Sequence, residues 1–138
     1  MSAPPRTTEL RYAVRAEERR DYLRIEISGV RSTLEVALAG WAEIAAQVRA
    51  HRPSKVLIVS KLGGPIPNPE EQRRTLESVI GHGFEGVRTA FVLEDTLHVA
   101  EMEYGEMVAR EHGQESRVFG SETLAELWLR HGDVPGKP

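Results

Sequence analysis

The sequence predicts an α/β domain built on a mostly parallel five-stranded sheet, with an antiparallel strand at one edge and four helices. Two observations carry this. The runs Val56-Leu57-Ile58-Val59 and Thr89-Ala90-Phe91-Val92-Leu93 are short and apolar nearly throughout, the pattern of strands covered on both faces. Helical patterns alternate with such runs, and alternation of this kind requires right-handed crossovers and parallel neighbours. The predicted order is β-β-α-β-α-β-α-β-α.

The first strand shows Leu10, Tyr12 and Val14 alternating with Arg11 and Arg15, which marks a half-exposed element. A charged turn over residues 17–21 leads to a cleaner alternation, Leu23, Ile25 and Ile27 against Arg24, Glu26 and Ser28, closed by Gly29. Two strands joined by a short polar turn form an antiparallel pair. Ser32 with Glu35 is a capping box that opens the first helix. Its apolar stripe is read through Leu34, Leu38, Trp41, Ala45 and Val48, with Trp41 as core, and Pro53 stops it.

Residues 55–76 organise the chain. The apolar strand breaks at Ser60-Lys61-Leu62-Gly63-Gly64-Pro65-Ile66-Pro67, read as a loop. The chain restarts as a helix capped by Asn68, with Pro69 in its first turn and Glu71 completing a capping box. Such a loop lies at the carboxyl edge of a central strand, where α/β sheets bind ligands and partners. The helix face is read as Leu76, Val79 and Ile80. Gly81-His82-Gly83-Phe84-Glu85-Gly86 matches GxGxxG literally. The dinucleotide fingerprint must follow a strand and open a helix, however, and this segment follows a helix and precedes a strand, so it reads as a turn.

Beyond residues 89–93, Glu94-Asp95-Thr96 leads into a helix with Leu97, Ala100, Tyr104, Met107 and Val108 on one side. Gly105 inside it costs ~1 kcal/mol relative to alanine, which fits close packing against a neighbour or simple tolerance. Arg117-Val118-Phe119 is a short last strand. Ser121 caps a final helix holding Leu124, Leu127, Trp128 and Leu129, and Gly132 ends it.

At 138 residues, the chain reads as a flexible arm (1–8), one domain (9–131) and a flexible tail (132–138). A hydrophobic fraction of 40% and a charged fraction of 28% are those of an ordinary globular protein. A net charge of −3 gives no reason to expect nucleic-acid binding. The absence of cysteine excludes disulfides and thiolate metal sites. No apolar stretch reaches membrane-spanning length and the N-terminus has no signal-peptide core, so a cytoplasmic protein is expected.

Three local patterns bear on family: Tyr22-Leu23-Arg24-Ile25 with Gly29, Lys55-Val56-Leu57-Ile58-Val59, and Val118-Phe119 followed by Ala125-Glu126-Leu127-Trp128-Leu129. With the element order, they make residues 9–130 resemble the STAS-type fold of anti-sigma-factor antagonists, specifically its SpoIIAA-like branch. The resemblance implies a bacterial regulatory protein. In antagonists of that family a serine or threonine after the central strand is phosphorylated and switches partner binding. Here residues 63–68 carry no hydroxyl group, Ser60 comes too early and Thr75 too late, so the switch is not expected. Ser60 also stands where the SpoIIAA-like branch often has an aspartate.

The chemistry-bearing residues form no catalytic constellation. His51, His82, His112 and His131 fall at helix ends or turns, and His98 with Glu101 and Asp95 is only a weak metal-ligand spacing. Ser60 lacks a nucleophile motif and an evident base. The chain is therefore expected to be a non-enzyme without cofactor or metal. The leading expectation is an interaction module for an unidentified protein partner. Its partner or ligand loop would comprise Ser60, Lys61, Gly63, Gly64, Ile66 and Asn68. The alternative is a carrier of a small apolar ligand or lipid between sheet and helices, with Met102, Tyr104 and Met107 lining the pocket. The first strand or the arm can also pair two copies into a homodimer.

Overall fold

In the computed structural model, residues 12–30, 34–63, 67–93 and 99–132 are described. Two alternating strands open the sheet, β1 (Tyr12–Glu18) and β2 (Leu23–Val30), followed by α1 (Leu34–His51) and β3 (Lys55–Gly63). Then come α2 (Pro69–Glu77), β4 (Arg88–Leu93), α3 (Val99–Glu111), β5 (Ser116–Phe119) and α4 (Glu122–His131). The strands lie side by side in chain order, β1-β2-β3-β4-β5. β1 is antiparallel to β2, with Val14 opposite Ile27, and every later pair is parallel. The predicted class, strand orientation and element order are those observed. The arm, residues 133–138 of the tail, Ser32, Gly64, Ile66, Asp95 and His98 lie outside the described residues, as do the expected homodimer contacts of the arm.

Strand periodicity divides the core. Leu23, Ile25, Ile27, Val56 and Ile58 join Ile44, Ala45 and Val48 of α1, together with Val79, Phe84 and Val87, in one buried cluster. The residues between them, Leu57, Val59, Ala90 and Val92, join Tyr22 and the α4 residues Ala125, Trp128 and Leu129 on the opposite face. Successive right-handed crossovers in one direction put α1, α2 and α3 on the same side. That leaves the second face to α4.

Several local expectations are revised. β3 runs on to Gly63, so Ser60, Lys61 and Gly63 are strand residues paired with Ile27, Ser28 and Val30, not loop residues. The parallel ladder with β2 continues past the apolar run because Leu62 still alternates inward and is half-buried against the core. α1 buries Val36, Gly40, Ile44, Ala45 and Val48. This ridge at steps of four is rotated from the predicted stripe, because a Cβ on Gly40 would stand only 2.9 Å from Ile27 Cδ1. The helix seats its small residue on β2, and Leu34, Leu38 and Trp41 move to the half-buried flank.

In α3, Ala100 and Met107 are exposed and Val108 and Ala109 are buried. The helix turns Gly105 against α2, where an added Cβ would meet Gln72 Oε1 and Leu76 Cδ1, each at 3.2 Å. Close packing thus accounts for the glycine. The predicted cap of α2 is present: Asn68 Oδ1 accepts the Glu71 N–H at 2.8 Å, and Glu71 returns a carboxylate to the Asn68 N–H at 3.1 Å. Residues 81–86 form turns between α2 and β4, with Gly81, Gly83 and Gly86 at φ of 83°, 121° and 74°. Left-handed backbone, which favours glycine, explains the spacing that imitates a nucleotide fingerprint.

Candidate functional site

Serine and glutamine are not residues that a buried apolar layer selects. Yet the described residues include four buried polar side chains, Ser60, Gln72, Thr75 and Thr89, and all four lie on the wall of one cavity. The cavity measures about 90 Å³ and sits between the sheet and helices α1, α2 and α3. Ile27, Ser60, Leu62, Phe91 and Val118 supply the sheet side, and Trp41, Ile44, Leu76, Met102 and Gly105 supply the helix side.

The aromatic wall is a stack. Trp41 lies over Phe91 with ring centroids 6.0 Å apart and planes at 20°, and Phe84, off the wall, tilts against Trp41 with centroids 6.3 Å apart. The rotation of α1 toward Gly40 is what places Trp41 at this flank. Tyr12, from the edge strand, closes another side. Partial burial pushes its hydroxyl pKa up, and the negative charge of Glu43 adds to that.

Most of the polar groups on the wall serve the scaffold. Gln72 Nε2 donates to the Pro67 carbonyl at 2.9 Å, and its Oε1 accepts the Gly105 N–H at 3.0 Å. One side chain thereby fixes the start of α2 to the middle of α3. Thr75 donates to the Glu71 carbonyl at 2.8 Å and Thr89 to the Val87 carbonyl at 3.3 Å. Glu106 pairs with Arg110 and accepts the Val118 N–H at 2.7 Å, capping a backbone donor on edge strand β5. Ser60 differs. Its Oγ receives the Leu62 N–H at 3.5 Å, the outer limit of a hydrogen bond.

A separate charged cluster lies on the α4 side of β2 and β3. Arg24 grips Glu122 through Nε at 2.6 Å and Nη2 at 3.2 Å, and donates to Glu26 at 3.0 Å. Lys61 approaches Glu26 at 3.7 Å. The Arg24 hydrogen bonds hold both carboxyls below their usual range and raise the guanidinium. Nearby, burial first and a hydrogen bond to Glu126 second push the Tyr22 hydroxyl up to about 12.

The residues singled out from the sequence are dispersed. Ser60 and Met102 line the cavity, Lys61 and Gly63 are exposed on β3, and Asn68 is committed to its cap. Tyr104 is not on the cavity wall. It lies under the Arg73 guanidinium, 5.8 Å from ring centroid to Cζ, and accepts hydrogen bonds from it. Met107 is 45% exposed and also off the wall. Gln72, Thr75, Glu106 and Phe91 were missed. The available signal was Gln72 and Thr75, three residues apart, sharing a helix face with Leu76, where an apolar pair was due.

Among the described residues no group of three or more His, Asp or Glu is placed to hold a metal ion, and no helix is long and apolar enough to cross a membrane. No model of a known protein family matches the chain, and no curated protein sequence matches it significantly.

Proposed function

We propose that this chain is a non-catalytic binding module whose cavity holds a small, mainly apolar molecule. The observation that carries the reading is the convergence of all four described buried polar residues on one aromatic-walled cavity. Sites for small molecules are typically concave and apolar with a few placed polar groups. A volume of about 90 Å³ favours a compact occupant over a whole lipid, since a 150 Å³ cavity already accepts benzene. The element order, with β2 to β5 in unbroken parallel sequence, supports the STAS-like regulatory reading alongside it.

Native mass spectrometry beside the denatured mass tests the proposal, because a retained molecule adds mass that denaturation removes. Trp41 emission, read in a Trp128→Phe background, gives a second readout against small ketones and arenes. A chain with no added mass and no emission response to either class sinks the ligand reading.

A second reading has its own observation. On α4, Leu124 and Leu127 are 56% and 50% exposed, on the helix that covers the second sheet face. This favours an interaction module that offers α4 to a protein partner. Charged substitution of both leucines should abolish capture of that partner and leave the fold intact. Capture that survives it removes α4 from the contact.

A further inference from the structure

We infer that the cavity's occupant is an uncharged molecule bearing a hydrogen-bond acceptor, a carbonyl or ether oxygen, which the Ser60 hydroxyl recognises. The inference rests on the ligand-binding reading above and adds the chemical class. Ser60 is 2% exposed and occupies a strand position whose inward neighbours are Ile58 and Leu62. A hydroxyl in that setting is costly unless it is hydrogen-bonded. Gln72, Thr75 and Thr89 all donate to backbone carbonyls of their own surroundings. The Ser60 hydroxyl accepts one long contact from Leu62 and has no acceptor for its proton among the described residues. Among the buried polar side chains of the wall, it is the donor that the scaffold leaves to the cavity.

The charge of the wall sets the rest. No lysine, arginine or histidine lines the cavity among the described residues, so nothing there balances a carboxylate or phosphate. Glu106, the carboxylate on the wall, is held by Arg110 and the Val118 N–H, so a ligand cation would have to compete for it. A neutral ketone, aldehyde, ester or ether remains, with its apolar part against Trp41, Phe91 and Met102.

Cyclopentanone and methylenecyclopentane test this, because they share a shape and differ in an acceptor oxygen against a methylene group. Binding is read from the labelled methyl of Met102 on the cavity wall, with the exposed Met107 as an internal reference. Both probes should shift Met102 in the wild-type chain. Ser60→Ala should weaken the ketone about fivefold, the worth of one net neutral hydrogen bond, and leave the alkene unchanged. Equal weakening of both probes, or of neither, overturns the role of Ser60 while the cavity stands as a binding site. Failure of both probes to move Met102 in the wild-type chain removes the ligand reading and this inference with it. The alkene arm also reports whether the Ser60→Ala cavity is intact.

Discussion

Gln72 Oε1 accepts the Gly105 N–H at 3.0 Å, and a Cβ on Gly105 would stand 3.2 Å from that same oxygen. The contact between α2 and α3 thus depends on a side chain that one residue has and the other lacks. Gln72 cannot swing aside freely, because its amide nitrogen is bound to Pro67.

Gly105→Ala is therefore expected to destabilise the protein. Helix propensity favours alanine by ~1 kcal/mol, but overpacking costs about 1–3 kcal/mol. A net loss of about 1 kcal/mol should appear as a lower urea midpoint. A midpoint that rises would show that the α2–α3 contact yields.

Gly40 and Ile27 should couple. Gly40→Ala drives a Cβ to within 2.9 Å of Ile27 Cδ1. Overpacking of about 1–3 kcal/mol is offset by the ~1 kcal/mol that helix propensity gives alanine, so a net loss of about 1 kcal/mol is expected. Ile27→Val removes that Cδ1 atom, so in its background the Gly40→Ala cost should fall below about 0.5 kcal/mol. Additive losses across the double-mutant cycle would contradict the contact.

The Arg24 cluster predicts an acid-side dependence. Glu26 and Glu122 have depressed folded-state pKa values, so between the unfolded and folded values the unfolded chain binds more protons. Their contribution is present above the unfolded carboxylate range and is lost as pH falls through the folded values. The wild-type urea midpoint should decline as pH drops from about 5 toward 3. Arg24→Gln should lower the midpoint at pH 7 and flatten that decline. An unchanged acid slope would remove Arg24 as the cause.

Arg52 ends α1 in left-handed backbone, at φ 50°, with its N–H on the Val48 carbonyl at 2.8 Å. That conformation costs a non-glycine residue about 1–2 kcal/mol. Its side chain is exposed. Arg52→Gly should therefore raise stability by about 0.5–1 kcal/mol after the entropic cost of glycine. Thermal or urea unfolding reads the change, and a loss would mean that the Arg52 side chain holds a contact worth more than the strain.

By itself the sequence determined the elements and the class. Alternation fixed the two faces of β2, the apolar runs fixed β3 and β4, and Asn68-Pro69-Glu70-Glu71 fixed the start of α2, because each is a local pattern set by backbone geometry and capping chemistry. Only the tertiary structure decided which face each helix turns inward, since close approach at Gly40 and Gly105 depends on the residue opposite, Ile27 in one case and Gln72 in the other. The candidate site follows from those approaches. Trp41 reaches the cavity because α1 rotates onto Gly40, and Ser60 lines it because the β2–β3 ladder carries the strand beyond its apolar run. A chain read one residue at a time carries no record of such pairings, which arise where distant segments compete for the same volume.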